Sequence, residues 1–302
     1  MSDSSATMQN VSDTARWAAV FRARETERPD ALFRDPFARR LAGERGFEMT
    51  ANLRDGNQHA WAWTARTYAF DQYLTREIEK GADMVLNLAA GLDARPYRMA
   101  LPATLQWVEA DLPGILTYKE EILAAEKPSC MLERIHIDLS DATARRALFA
   151  EMQRRARRVV VLTEGLVIYF AREDVAALAE DLASGESFAR WIVDIPSPGL
   201  LKMLQKSPGE HLSAVGAPFR FGPPEGPAFF ATHGWGVAEV SGMLKTAARF
   251  GRPPFFLRLL ALLPESKGTQ GERPWSGVCL LENKKNEPGK PLKPAPGPFG
   301  WR

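Results

Sequence analysis

From residue 82 to residue 195 short apolar runs and longer helical stretches take turns, a rhythm that few folds accommodate. Runs at 84–88, 105–110, 134–137, 158–163 and 189–195 read as strands, and segments at about 113–126, 141–156 and 172–183 carry helical spacing. A strand followed by a helix returns to the same edge of a sheet, so successive strands run parallel with helices on both faces. The runs themselves agree: Met84-Val85-Leu86-Asn87-Leu88 is apolar at nearly every position, as a strand covered on both sides requires. The expected fold class is therefore α/β, a doubly wound, mostly parallel sheet.

The flanking segments differ in character. Residues 1–80 show helical patterning, with Trp17, Val20 and Phe21 at helical spacing and Asp35-Pro36 opening another segment, and are read as an N-terminal helical cap. The core spans 81–283. After Asp194 the rhythm dissolves into Pro196, Pro198, Pro208, Pro218, Pro223, Pro224 and Pro227, read as an irregular lid insertion over about 196–233. Segments around Trp235–Val240 and Ser276–Leu281 are expected to finish the sheet as edge strands. The run Phe255–Leu263 is about half a membrane span and contains Arg258, so it is read as a buried or lid-facing helix. The Lys-, Pro- and Gly-rich stretch 284–302 is expected to be a flexible tail.

Composition narrows the partner. With 39 basic and 37 acidic residues the net charge is +2, too small a field to recruit nucleic acid or an anionic membrane, and a small-molecule partner is expected. The basic run Arg154-Arg155-Ala156-Arg157-Arg158 could dock RNA or an acidic partner if the protein were a non-catalytic binding module. At a helix end just before a strand it reads instead as a solvated face that meets the helix dipole. Two cysteines, Cys130 and Cys279, form no disulfide framework and no zinc site, and no metal is expected. The amino terminus shows no secretory pattern, and a cytoplasmic location is expected.

The chemistry concentrates at the strand ends. Asn87-Leu88-Ala89-Ala90-Gly91-Leu92-Asp93 follows the first strand, and Val108-Glu109-Ala110-Asp111 closes the second. In an open α/β sheet ligands bind beyond the carboxyl ends of the strands, where an acid can accept hydrogen bonds from ribose hydroxyls. Ala89 and Ala90 stand where a dinucleotide fingerprint would place glycines, so the turn alone is open between a cofactor loop and an ordinary strand-turn-helix corner. Asp138, Glu164 and Asp194 continue the series after the later strands. Any one of these acids can be a helix cap, as Asp141 beside Ser140 illustrates. Together they suit a ligand with ribose hydroxyls, an exocyclic amine and a positive charge, the features of S-adenosylmethionine.

Val85–Arg98, Val108–Pro113, His136–Asp141 and Leu162–Phe170 resemble the successive motifs of the leucine carboxyl methyltransferase family, which includes bacterial O-methyltransferases of polyketide pathways. The resemblance continues upstream through Asp13-Thr14-Ala15-Arg16-Trp17, Arg34-Asp35-Pro36-Phe37-Ala38 and Ala65-Arg66-Thr67-Tyr68-Ala69-Phe70-Asp71, covering roughly residues 11–185. It implies a Rossmann-like class I methyltransferase fold with a seven-stranded sheet, and S-adenosyl-L-methionine as cofactor. Position by position it implies that Arg66 holds the methionyl carboxylate, a role suited to a forked guanidinium. It places Ala89 to Gly91 against the methionine part, Asp111 on the ribose, Asp138 with Leu139 at the adenine, and Glu164 near the cofactor. Ala89 departs from a family pattern that often has glycine, and alanine fits there if its φ is negative. Asp93 and Arg95 also match, and are read as an ion pair that holds the turn.

The expected reaction is transfer of the sulfonium methyl to oxygen, on a carboxylate or hydroxyl of a small metabolite; methylation of a protein's C-terminal carboxylate is the alternative. Such displacement needs alignment more than functional groups. Tyr169 is the substrate-facing candidate, able to position an oxygen or simply to pack. Trp61, Trp63 and Tyr68 could face a sulfonium through cation–π contact or pack their helix on the core. The four histidines, His59, His136, His211 and His233, are scattered and suggest no base. A nicotinamide reductase lacks its three-glycine fingerprint and Tyr-x-x-x-Lys pair here, and Gly-x-x-x-x-Gly-Lys for a nucleoside triphosphate is missing. Thr163-Glu164-Gly165-Leu166 stands where an amine methyltransferase carries Asp/Asn-Pro-Pro-aromatic, which disfavours nitrogen as acceptor.

Overall fold

The computed structural model describes residues 12–51, 60–206, 218–264 and 271–286. Three helices come first, α1 (Ser12–Thr26), α2 (Ala38–Ala51) and α3 (Ala60–Glu79). The alternating core follows as β1 (Met84–Leu88), α4 (Arg95–Arg98), β2 (Gln106–Asp111), α5 (Pro113–Ile122), β3 (Met131–His136), α6 (Ala142–Arg155), β4 (Val159–Thr163), α7 (Arg172–Ala183) and β5 (Phe188–Pro196). The chain ends with α8 (Pro198–Lys206), β6 (Trp235–Gly242), α9 (Met243–Arg249), α10 (Phe255–Leu260) and β7 (Ser276–Asn283).

The strands form one seven-stranded sheet in the order β3-β2-β1-β4-β5-β7-β6. The pairs β1 to β2, β2 to β3, β1 to β4 and β4 to β5 are parallel, whereas β7 runs antiparallel to both β5 and β6. The chain winds outward from β1 to β3, then crosses back to place β4 on the other side of β1. That reversal parts the loops after β1 and β4 and opens a crevice at the carboxyl edge of the sheet.

Burial on both faces explains the near-continuous apolar runs. Met84, Leu86 and Leu88 of β1 join one buried cluster with Leu148, Phe149, Val175 and Leu178 of α6 and α7. Val85 points the other way, into a cluster with Phe70, Tyr73 and Leu74 of α3. Local signals set the helix ends: Pro113 opens α5, whose first turn lacks an intrahelical use for its N–H, and Asp141 caps α6 by accepting from the Thr143 and Ala144 amides at 2.8 and 3.1 Å. The basic run 154–158 lies at the surface, Arg154 and Arg157 exposed, with Arg155 pairing with Glu133, Arg157 with Asp83 and Arg158 with Glu77.

Two segments depart from expectation. The stretch read as an irregular lid contains α8 and a 3-10 helix, Gly226–His233, whose Phe229 and Phe230 belong to the core. Phe230 and Trp235 both meet Trp191 edge-on, at ring separations of 5.0 and 5.5 Å, so this part is bound to the sheet by aromatic packing that polarity patterns do not reveal. Of the two readings of the run Phe255–Leu263, the buried one is set aside: Phe255 is 72% and Leu262 80% exposed. Residues 207–217 of the lid, the tail beyond 286, and His59 and His211 lie outside the described residues. Among the described residues no helix is long and apolar enough to cross a membrane, and no cluster of His, Cys, Asp and Glu could hold a metal ion.

Candidate active site

A cavity of about 580 Å³ fills the crevice at the carboxyl edge of the sheet. Its floor runs from Asp111 of β2 through the loops after β1 and β4 to Asp194 of β5 and Ser276 of β7. Those strands are neighbours in the sheet, so the floor spans four strand spacings, roughly 19 Å. Thr14, Ala15, Trp17 and Ala18 of α1 form part of the wall, as do Trp61, Trp63 and Arg66 of α3 and Leu200, Met203 and Leu204 of α8.

The turn after β1 is held from below by acids. Asp111 accepts the Gly91 amide at 2.6 Å through Oδ2 and the Leu112 amide at 2.7 Å through Oδ1. Gly91 has φ +48°, and a Cβ there would stand 3.2 Å from the Ala15 Cβ, so glycine serves both the turn and the close approach of α1. Burial pushes the Asp111 carboxyl up, against the pull of the two amides. Ala89 has φ +54°, the left-handed region, so the condition under which alanine fits without strain is not met.

Behind the turn lies an ionic network. Arg95 is 2% exposed and reaches Asp71 at 2.7 Å, Asp93 at 2.8 Å and Glu164 at 2.8 Å. Asn87 donates to Asp93 at 2.9 Å, and Arg98 joins at Asp71 at 2.7 Å. The expected Asp93–Arg95 pair is thus present within a larger cluster. Glu164 extends the cluster to Arg66, whose Nε donates to it at 3.1 Å, and Arg66 Nη1 stands 3.5 Å from Asp194. Burial raises the Glu164 carboxyl, but Arg95 and Arg66 outweigh it and hold the group below its ordinary range. Asp194 accepts the Gly165 amide at 2.6 Å; burial dominates there and pushes its carboxyl up. Gly165, at φ +69°, would place a Cβ 3.1 Å from Arg66 Nη1, so its lack of a side chain leaves the guanidinium its place.

Of the residues nominated from sequence, Arg66, Ala89, Gly91, Asp111, Glu164 and Tyr169 all line the cavity. Asp138 and Leu139 do not: Asp138 is exposed one strand beyond Asp111 and accepts the Ser140 amide at 2.9 Å, while Leu139 is buried in the core cluster. Glu109 is turned inward and fully buried between Lys119 and Arg134, at 2.7 and 2.9 Å. Tyr169 lines the cavity with its hydroxyl bonded to Thr14 of α1, and burial raises its phenol, which keeps its proton. Trp63 stacks on Phe21 at 5.4 Å and carries the Arg66 guanidinium 4.4 Å from its ring, whereas Tyr68 packs against Phe250. His233 lies outside the cavity lining, paired with Glu180 at 2.9 Å.

The walls from α1, α8 and α9 were not nominated from sequence. Leu200, Met203 and Leu204 follow helical spacing within a proline-rich stretch, a signal that could have placed them on one face. Nothing in the α1 pattern shows that its face turns to a ligand rather than to the core.

A family model described as leucine carboxyl methyltransferase matches residues 15–183. The chain belongs to the leucine carboxyl methyltransferase family. A relative from Frankia alni, carrying the name "Putative S-adenosyl-L-methionine-dependent methyltransferase", is 32% identical over 80% of this chain and 88% of its own length. A relative of the same description from Parafrankia is 31% identical over 76% of this chain and 78% of that protein. Among solved structures, a DUF574 family protein from Streptomyces avermitilis superposes with a TM-score of 0.56 at 15% identity, over 89% of this chain and 97% of that one. A protein from Thermobifida fusca described as a "putative methyltransferase" gives a TM-score of 0.50 at 16% identity, over 93% of this chain and 97% of that one. The fold is that of the class I methyltransferases, and the protein is an S-adenosylmethionine-dependent methyltransferase of this family.

Proposed function

We propose that the protein transfers the methyl group of S-adenosylmethionine to an oxygen, carboxylate or hydroxyl, of a small metabolite. The observation that carries this reading is the character of the long cavity at the carboxyl edge of the sheet. Its lining holds three guanidinium groups, Arg22, Arg66 and Arg95, and four carboxylates, Asp93, Asp111, Glu164 and Asp194. Arg22 and Arg95 are further paired with Asp35 and Asp71 outside the lining, so the cavity carries an excess of negative charge, which suits S-adenosylmethionine, whose sulfonium, ammonium and carboxylate leave it singly positive. The donor set fits the cofactor group by group. Asp111, with both oxygens already anchored on backbone amides, faces the cavity as an acceptor for a vicinal diol. Arg66 offers a forked cation for a carboxylate, and Leu112 and Ile115 supply an apolar wall beside Asp111. Asp138 and Leu139 would complete the adenine end only by contacts beyond the cavity lining.

Bound there, the cofactor supplies an electrophilic methyl on a good leaving group. The chain's part is to hold and align. The network from Arg95 through Glu164 fixes Arg66, and α1 and α8 cover the sheet edge against water. Fixing two reactants in line removes orientational freedom worth several kcal/mol. The proline-poor loop Thr163-Glu164-Gly165-Leu166 offers an acid rather than the amide and stacked aromatic suited to an amine. A small acceptor is supported by the size of the cavity, about 580 Å³, within the range of small-molecule sites.

Calorimetric titration with S-adenosylmethionine and its demethylated product checks the reading. Binding of both is expected, with Asp111→Ala and Arg66→Ala each weakening affinity about tenfold or more, the measure of a lost charge-assisted hydrogen bond. Absence of binding by the wild-type protein would refute the reading, and unchanged affinity in both variants would refute these two assignments.

A further inference from the structure

Resting on that reading, the geometry points to Asp194 as the group that takes the proton from the methyl acceptor, which is therefore a hydroxyl on an apolar skeleton and not a carboxylate. The cavity divides by chemistry along the sheet. Asp111, Gly91 and Arg66 occupy the part above β2, β1 and α3. The part beyond β4 is walled by Tyr169, Leu200, Met203, Leu204, Phe219 and Met243. Asp194, at the end of β5, is, among the described residues, the one ionisable acid on the floor of that apolar part, 12% exposed at its side chain. Its Oδ1 is fixed by the Gly165 amide at 2.6 Å, which leaves Oδ2, at 3.5 Å from Arg66 Nη1, turned toward the boundary between the two parts.

The charges around Asp194 decide between the two acceptor classes. From α3 it faces Arg66; from the loop after β4, Glu164 and the Gly165 amide; from the turn that follows, the protonated Tyr169 phenol; from β7, the buried Cys279 thiol. Arg66 is the single cation of this set, already shared with Glu164 and assigned to the cofactor's carboxylate. Among the described residues around Asp194, a carboxylate acceptor would enter beside Asp194 and Glu164 with no cation of its own, and like charges at such range disfavour the ionised form. A hydroxyl carries no such penalty and needs a base, and Asp194 is one whose buried carboxyl is shifted upward, toward the range where a base works well at neutral pH. The step balances: the acceptor's O–H bond breaks and its proton passes to Asp194 Oδ2, the O–CH₃ bond forms, and the sulfur–methyl bond breaks with its electron pair left on a neutral thioether.

The test uses two matched pairs, para-hexylphenol with para-hexylbenzoate and octanol with octanoate, against wild type and Asp194→Asn. Asparagine keeps an oxygen for the Gly165 amide and removes the base. Binding to the complex with the demethylated cofactor is followed by tryptophan fluorescence, since Trp17 and Trp61 line the cavity. The hydroxyl compound of at least one pair is expected to bind the wild type about tenfold more tightly than its carboxylate, and Asp194→Asn is expected to narrow that gap, because the like charge has gone. With S-adenosylmethionine, turnover of the bound hydroxyl compound is expected to rise with pH to a plateau. Asp194→Asn should lower it about a hundredfold or more and flatten the profile, while cofactor affinity stays close to wild type. Carboxylates bound or turned over as well as hydroxyls, no probe bound, no hydroxyl turned over, or full turnover in Asp194→Asn would each overturn the proposal. All of these leave the methyltransferase reading standing provided the cofactor binds; loss of cofactor binding by the wild type defeats both.

Discussion

Ala89 is the residue at which the turn and its sequence disagree. Its φ of +54° places a Cβ in the left-handed region, which costs a non-glycine residue roughly 1–2 kcal/mol. Ala89→Gly removes that cost but adds freedom to the unfolded chain, worth about half as much, so a net gain of about 0.5–1 kcal/mol is expected. The midpoint of urea unfolding reads it; a loss of stability would show that the alanine methyl makes contacts outweighing the strain. At this scale the sequence was informative about residue types at strand ends and poor about direction. Asp111 and Glu109 are two positions apart on β2, yet Asp111 meets the Gly91 turn while Glu109 is fully buried against Lys119. The strand's alternation could not separate them, because both carry the same parity and only the turn at the strand end redirects Asp111. Asp194 was visible as one more strand-end acid, but its pairing with Gly165 and Arg66 depends on a loop and a helix far away in sequence.

At the level of elements, Arg95 ties α4 to α3, the β1 turn and the loop after β4 through Asp71, Asp93 and Glu164. Removing a buried partner leaves uncompensated charge, which typically costs 3–5 kcal/mol. Arg95→Ala is therefore expected to destabilise by about 3–5 kcal/mol in urea unfolding, a loss below about 1 kcal/mol being incompatible with a desolvated network. The same cluster sets a pH dependence. Glu164 and Asp93 are held below their ordinary values when folded, by Arg95 and its neighbours against the effect of burial. Their contribution is complete above the unfolded carboxylate range and is lost as pH falls, from about pH 5 downward. Asp111 and Asp194 are shifted upward and act in the opposite sense, their contribution fading as pH rises through their raised values. Unfolding midpoints measured between neutral pH and pH 3 should fall on acidification, and Glu164→Gln should flatten that fall; an equal slope in both proteins would exclude Glu164 as a source. The strands and helices of the core were legible because period and capping are local: α7 is expected over 172–183 and occupies Arg172–Ala183. The 3-10 helix Gly226–His233 was hidden in a proline-rich stretch because its place in the core comes from aromatic partners distant in sequence, Trp191 of β5 above all.

Across the whole molecule the N-terminal helices close one side of the site. Arg22 of α1 pairs with Asp35 at 2.9 Å and donates to the Leu92 carbonyl at 2.6 Å, so the cap is joined directly to the β1 turn. The opposite case is α10, for which the apolar run 255–263 suggested a buried or lid-facing helix and which carries Phe255 and Phe256 at 72% and 63% exposure. Substituting both phenylalanines by serine is expected to change stability by less than about 0.5 kcal/mol, as for other surface positions; a larger loss in urea unfolding would place those side chains in the core. Hydrophobicity along the chain reports how much apolar surface there is, and which neighbours cover it is a property of the folded arrangement.

The sequence by itself determined the α/β class, the order of core elements, the family motifs and most of the residues around the turn after β1, because periodicity, capping and motif spacing act within a few residues. The tertiary structure decided the rest: the left-handed strain at Ala89, the inward turn of Glu109, the placement of Asp138 and Leu139 outside the cavity, and the apolar walls around Asp194. Each of these depends on which distant elements meet at the carboxyl edge of the sheet, and burial there fixes both which acids face the cavity and how readily they give up a proton.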